Sequence, residues 1–556
     1  MKNIFAKTLL TVAAAASLTA CSDFLTIEPE DSLTQDNYYD SPVMLRNQTL
    51  TLYNAVTWWD FFSDFSWKPD MLNGDMYYTY SYEGQWYFGS YTSVNPYILS
   101  GWSGLYNVIL FANSIINDTA EHCGGTITET DINAAIAEAR CVRALAYYYL
   151  AEVWHDVPII TNNSRNIADG NLNVPRNTQK SVYQFALEDA DFAVANLPET
   201  DSESFRCTKR TARAIRAKLL LTMASHTDYG YDRADLYRRC ADDCLAVIDA
   251  SQWIGNIPFE TLFDVAGNNG EESIFQIQCG VLGYGAGNPR NAAWSRSSVI
   301  ADQTWGAGKG PTISLQKMYD PTDKRRMWTY MTAGDYYPNL NKANGGYHYM
   351  LFDDDHNESR NEMNAHIKKY VIGKSADVDG LVGINQDAGN NIYLLRLADM
   401  YLMYAEAVMG TATSTTDGAA LEKYNDVRKR AGVATVTSLT YFELLKEYRR
   451  EFAFEGHTWF DTLRFRYREG DQAALDLVNN GYGTGYGRSA QYVEIPGTDE
   501  ANRNDPNQYV IATTKAEGTM YDAINITADA FQVPLPANAV TAAPALSGEP
   551  VDFYAE

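Results

Sequence analysis

Apolar residues recur every three or four positions across two separate stretches of this 556-residue chain, and that helical period limits the fold more than any other feature. In the first stretch, Gly101–Asp118 and Asp131–Trp154 read as a helix pair, with Val142, Leu145, Tyr149 and Val153 stacked on one face. Gln179–Leu197, Lys209–Ser225 and Ala234–Ala250 continue the series, and Pro198 stops one of these helices. In the second stretch, Leu394, Leu397, Tyr401, Tyr404 and Val408 form a stripe. Leu421–Ala431 and Phe442–Glu455 follow it, with Gly432 and Gly456 as the expected C-caps.

Antiparallel helix pairs at this spacing stack into a superhelix in the manner of tetratricopeptide repeats. The expected fold is therefore mainly α. A helical scaffold covers about 41–251 and 393–468, a loop-rich insertion covers about 252–392, and an irregular tail covers 469–556. All three are read as one body. The insertion, with residues 58–100 and 470–550, is rich in Gly, Asn and aromatics and carries no sustained period. Long loops of this kind in a compact protein are usually functional.

The first twenty residues read as an export signal. Lys2 and Lys7 precede an apolar stretch from Leu9 to Leu18 that is too short to span a bilayer of roughly 30 Å. Leu18-Thr19-Ala20-Cys21 then matches the pattern cut by lipoprotein signal peptidase just before the cysteine. Acyl chains on Cys21 would hold the mature chain on a membrane, each buried methylene contributing about 0.8 kcal/mol. Residues 21–40 form a polar, acidic leader to the body.

The net charge of −26, or −28 once residues 1–20 are removed, excludes a nucleic-acid partner, which requires cations to displace counterions. The acids are scattered and 46% of the residues are apolar, so a folded core is expected. Cys123, Cys141, Cys207, Cys240, Cys244 and Cys279 remain after Cys21 and read mostly as small buried hydrophobes, with the pairing of one or two left open.

Catalytic and cofactor motifs fail on inspection. There is no HExxH, GxSxG or paired CxxC. Gly306-Ala307-Gly308-Lys309-Gly310 resembles a phosphate loop, but Gly310 follows the lysine and Gln303 stands where a leading glycine is needed, so it reads as a flexible loop. Asp353, Asp355 and Asn357 mimic the start of a calcium loop. Glu358 replaces its glycine and Asn364 its final glutamate, which leaves only a calcium site of another kind as a candidate. No other cofactor is expected.

Two aromatic clusters remain, both in irregular segments. The first is Asn73, Asp75, Tyr77, Tyr78, Tyr80, Tyr82, Trp86, Tyr87 and Tyr91; the second is Tyr284, Trp294 and Trp305 with Asn288, Arg290 and Asn291 between them. Sugar rings present apolar C–H faces and polar edges, so flat rings beside Asp, Asn or Arg suit them. The candidate ligand residues are Asn73, Asp75, Tyr82, Trp86, Tyr284, Arg290, Trp294 and Trp305.

Several motifs together resemble the SusD/RagB family of outer-membrane nutrient-binding lipoproteins of Bacteroidetes. Cys21-Ser22-Asp23-Phe24-Leu25 resembles the mature start of that family. Trp102, Tyr106, Ile109 and Ala112-Asn113 resemble its first long helix. Ala137-Glu138-Ala139-Arg140 through Val157-Pro158 follow another family segment, with His155-Asp156 where a Gly is usual. Arg396-Leu397-Ala398-Asp399 through Ala405-Glu406-Ala407 and Asn425-Asp426-Val427-Arg428 match two more. The most specific is Arg449-Arg450-Glu451-Phe452-Ala453-Phe454-Glu455-Gly456-His457 through Arg464, with Thr458 where Arg is common.

The resemblance implies a non-catalytic glycan-binding lipoprotein at the cell surface. It would capture oligosaccharides and deliver them to a SusC-type TonB-dependent outer-membrane transporter, holding the ligand in an aromatic arc drawn from both clusters. The alternatives are a peptide-binding RagB-like surface lipoprotein and a surface glycosidase. Arg449, Glu451, Glu455, Asp461 and Arg464 are expected to form a structural charge network rather than touch ligand.

Overall fold

The computed structural model describes residues 39, 41–123, 127–283, 285–352, 361–384 and 386–554. The signal segment, Cys21, the leader up to residue 38, Tyr284, Asp353, Asp355 and Asn357 lie outside the described residues.

Nine helices carry the scaffold: α1 (Pro96–His122), α2 (Glu129–Trp154), α3 (Gln179–Asn196), α4 (Lys209–Ser225), α5 (Arg233–Asp249), α6 (Leu397–Met409), α7 (Gly418–Ala431), α8 (Tyr441–Phe452) and α9 (Thr458–Glu469). Their starts are capped locally. Asn95 accepts from the Tyr97 N–H with Pro96 at the first position of α1, and Thr128 with Asp131 closes a capping box on α2. Gly432 ends α7 in the left-handed conformation, as expected. Gly456 does not cap α8. That helix stops at Phe452, and Phe454 (φ +67°) and Gly456 (φ +79°) turn the chain toward Ser66.

Each helix packs on the next in sequence from α1 to α7, and α8 packs on α6 and α9. The stack is therefore the mainly helical, tetratricopeptide-like superhelix that the periodicity predicts. α2 lies between α1 and α3 and is buried on every side over its second half, not only along the predicted stripe. α5 packs directly on α6, so the intervening insertion leaves the stack and returns to it. Its ends are stitched together by β2 (Ser273–Ile277) and β4 (Ile392–Arg396), antiparallel with Ile277 opposite Ile392. A shorter ribbon joins β1 (Met76–Tyr77) to β3 (Gly310–Pro311).

A buried ionic network fastens the insertion to the last helices. Arg396 donates to Glu272, Glu451 and Glu455, Arg430 to Glu272 and Glu451, Arg325 to Asp323 and Glu451, and Lys369 to Glu455. Burial pushes the Glu451 carboxyl up, but Arg430, Arg396 and Arg325 outweigh it and hold the group far below the usual range. The six cysteines after Cys21 are free thiols, four of them buried. Among the described residues no helix is long and apolar enough to cross a membrane.

Candidate functional site

The β1–β3 ribbon brings the Tyr78–Tyr80 segment of the first cluster beside the segment that follows Trp305 of the second. Its register sets Met76 opposite Pro311 and Tyr77 opposite Gly310. Because the strands are antiparallel, the residues that follow β1 lie beside those that precede β3. A Cβ built on Gly308 would fall 3.1 Å from the Tyr78 ring and 3.3 Å from the Tyr80 ring, so the 305–308 turn rests on both tyrosines. Tyr78 and Tyr80 stand 5.6 Å apart at 56°. Tyr80, Tyr82 and Trp305 then present 58%, 50% and 60% of their surface to solvent.

Beneath these rings lies a charged floor. Glu83 Oε1 is 3.1 Å from Lys68 Nζ, and Glu83 Oε2 is 3.2 Å from Lys309 Nζ. Both ammonium groups also sit over rings, Lys68 at 3.1 Å from Trp67 and 4.1 Å from Tyr97, and Lys309 at 4.9 Å from Tyr78. Burial lowers Lys68 to about 7, partly countered by Glu83. For Glu83 burial acts upward, but Lys68 and Lys309 prevail and bring it down to about 2. Reading Gly306–Gly310 as a flexible loop is thereby corrected: Lys309 is buried in an ion pair, and Gly310 approaches Ala365 too closely for any side chain.

Five of the predicted ligand residues are placed elsewhere. Asn73, Asp75, Trp86, Arg290 and Trp294 are each at most 1% exposed, so none has a face for a ligand. Asn73 Oδ1 accepts from Thr462 Oγ1 at 2.7 Å and from the Tyr482 hydroxyl at 2.6 Å. Asp75 accepts from Arg449 Nε and Thr458 Oγ1. Trp86 stacks on Tyr91 at 4.4 Å and meets the edge of Phe65. Arg290 donates to Ser66 Oγ at 2.9 Å and lies over Trp294 and Tyr370.

These buried residues hold the elements that present the exposed rings. Asn73 and Asp75 anchor β1, and Trp86 seats the Ser81–Phe88 helix that carries Tyr82 and Glu83. Trp294 underlies the turn of Trp305, whose N–H donates to Ala292 O at 2.8 Å while Gly306 crosses the Trp294 backbone. Lys68 and Glu83 carry no signal in the sequence, and Lys309 shows there only as a lysine flanked by glycines in a loop.

Among the described residues no group of three or more His, Cys, Asp or Glu is arranged to hold a metal.

Comparison with known proteins supports the helical fold. A relative named "SusD-like protein" from Bacteroides ovatus is 32% identical over 570 aligned positions, covering 99% of each chain. A crystal structure with xylogluco-oligosaccharide superposes at a TM-score of 0.78 with 28% identity, covering 92% of this chain and 99% of the other. A "Laminarin binding SusD-like protein" shares the fold at a TM-score of 0.63 and 20% identity, covering 79% and 94%. The profile described as "Starch-binding associating with outer membrane" matches residues 23–221, and that of the SusD family matches residues 268–551; the chain belongs to the SusD family.

Proposed function

We propose that this protein is a cell-surface lipoprotein, anchored through Cys21 to the outer membrane, that captures oligosaccharides and passes them unaltered to a SusC-type TonB-dependent transporter. The observation that carries the reading is that Tyr80, Tyr82 and Trp305 are exposed rings on the segments that the β1–β3 ribbon joins, with Gly308 packed against Tyr78 and Tyr80. Exposed flat rings stack on sugar C–H faces, and a fixed floor costs little ordering entropy on binding. A 28%-identical structure determined with xylogluco-oligosaccharide supports a glycan as the ligand class.

Glu83 is paired with both Lys68 and Lys309, which makes it part of the fixed floor beneath the rings. Calorimetry of the purified protein against soluble polysaccharides, with product analysis of the same samples, tests the reading. Saturable binding with intact ligand is expected. Co-purification with the transporter, lost in Cys21→Ala, tests the anchored handover.

A further inference from the structure

A second cavity lies on the same side of α1 as the platform's charged floor. It has a volume of about 270 Å³ and is lined by Val56, Trp59, Asp60, Gly104, Asn107 and Gly285. Residues 57–68 run antiparallel along α1 and connect the two places. Asn107 Nδ2 donates to Thr57 O at 2.9 Å, a Cβ on Gly104 would meet the Phe61 nitrogen at 2.5 Å, Ser100 Oγ donates to Asp64 Oδ2 at 3.2 Å, and Lys68 sits over Tyr97. Tyr97, Ser100, Gly104 and Asn107 follow a 3-4-3 spacing and so share one face of the helix. From Tyr97, beside the floor of the platform, to Asn107, beside the cavity, the helix rises ~15 Å. Several linked sugar rings cover that length.

The chemistry of the cavity repeats that of the platform. Trp59 provides a half-buried indole, a Cβ built on Gly285 would lie 3.9 Å from its ring, and the two glycines keep the walls low. Asp60 is exposed and brings a carboxylate, an acceptor by chemistry, to the lining; the half-buried Asp64 accepts from Ser100 Oγ outside it. Asn107 spends its N–H on Thr57, which leaves its carbonyl oxygen as an acceptor. Burial, and then the neighbouring Asp64, raises Asp60, so further negative charge is unwelcome there. A wall of acceptors around an indole selects hydroxyl donors on an apolar ring and disfavours carboxylated or sulfated sugars.

We propose that the cleft of Trp59, Asp60, Asn107 and Gly285 is a second subsite for the distal, uncharged rings of the oligosaccharide whose other end lies on Trp305. This rests on the glycan-binding reading above.

The test is calorimetry with laminari- and xylogluco-oligosaccharides of increasing length, and with laminarin and xyloglucan themselves, on wild type, Trp305→Ala, Trp59→Ala and Asp60→Asn. Asp60 is exposed, so its variant stays informative if Trp59→Ala disturbs the neighbouring Phe62. Wild-type affinity is expected to rise with chain length. Trp59→Ala and Asp60→Asn should weaken the longest ligands about tenfold and leave the shortest unchanged. Trp305→Ala should weaken all lengths. Length-independent affinity, or long ligands bound as in wild type by both cleft variants, would overturn the subsite while leaving the platform standing. Unchanged binding in Trp305→Ala, or no binding of any ligand by wild type, would instead contradict the platform reading, and the subsite with it.

Discussion

Arg449 of α8 donates through Nε to the carboxylate of Asp75, joining residues 374 positions apart at the point where β1 begins. Both side chains are at most 1% exposed. Removing one partner of such a pair leaves a buried charge uncompensated, at a cost of about 3–5 kcal/mol. Arg449→Ala should therefore lower the thermal midpoint strongly, and any loss of ligand binding should follow the loss of folded protein. Scanning calorimetry alongside binding separates the two effects.

The two tryptophans that look alike in sequence should respond in opposite ways. Trp86→Ala opens a cavity in the core and should cost about 3–5 kcal/mol of stability. Trp305→Ala removes an exposed ring and should change stability by no more than about 0.5 kcal/mol while weakening capture of polysaccharide. Denaturant unfolding combined with affinity electrophoresis checks both.

Asp70 gives the fold a pH dependence of known sign. Thr458 Oγ1 has one proton and donates it to Asp75, and Asp70 Oδ1 lies 3.3 Å from the same oxygen. A protonated Asp70 completes that chain by donating to Thr458. Burial, followed by the charge of Asp75, raises Asp70 to about 8, against hydrogen bonding from the Gly456 N–H and the opposing charges of His457 and Arg290. The folded pKa lies above the unfolded value of about 3.9, so this stabilising contribution is complete below about pH 4 and is lost as the pH rises to about 8. Asp70→Asn, which cannot ionise, should gain stability relative to wild type between those limits, as read from urea midpoints across that range.

Gly308 sets the spacing of the platform. A Val side chain there would push into Tyr78 and Tyr80, both within 3.3 Å of its first carbon. Gly308→Val should weaken glycan binding about tenfold while the thermal midpoint stays close to wild type.

The scaffold was legible because a helix buried on one face repeats every 3.6 residues. Lys209–Ser225 is predicted to the residue and the other predicted ranges lie within a few positions of their helices, but Leu394, read as the start of a helical stripe, falls in β4 because that segment pairs with β2. The end of α8 was not legible. Phe454 and Gly456 adopt left-handed turns, and Gly456 packs against the backbone of Ser66, far away in sequence. The candidate site was readable at the level of segments only. Residues 55–88 fold into short helical pieces, including a π-helical turn at Asp60–Phe65, with no period to show which rings point inward. Whether Asn73 faces ligand or core depends on Thr462 and Tyr482, and no local pattern encodes those partners.

We infer that this chain grips a sugar polymer on exposed rings and leaves it intact. Titrating one polysaccharide panel, including xyloglucan and laminarin, into wild type and Trp305→Ala, while counting reducing ends in the recovered ligand, tests that claim most directly. Saturable binding by wild type, weaker binding by Trp305→Ala, and no new reducing ends in either are expected. Equal binding by the two proteins, or reducing ends that accumulate with time, would contradict it.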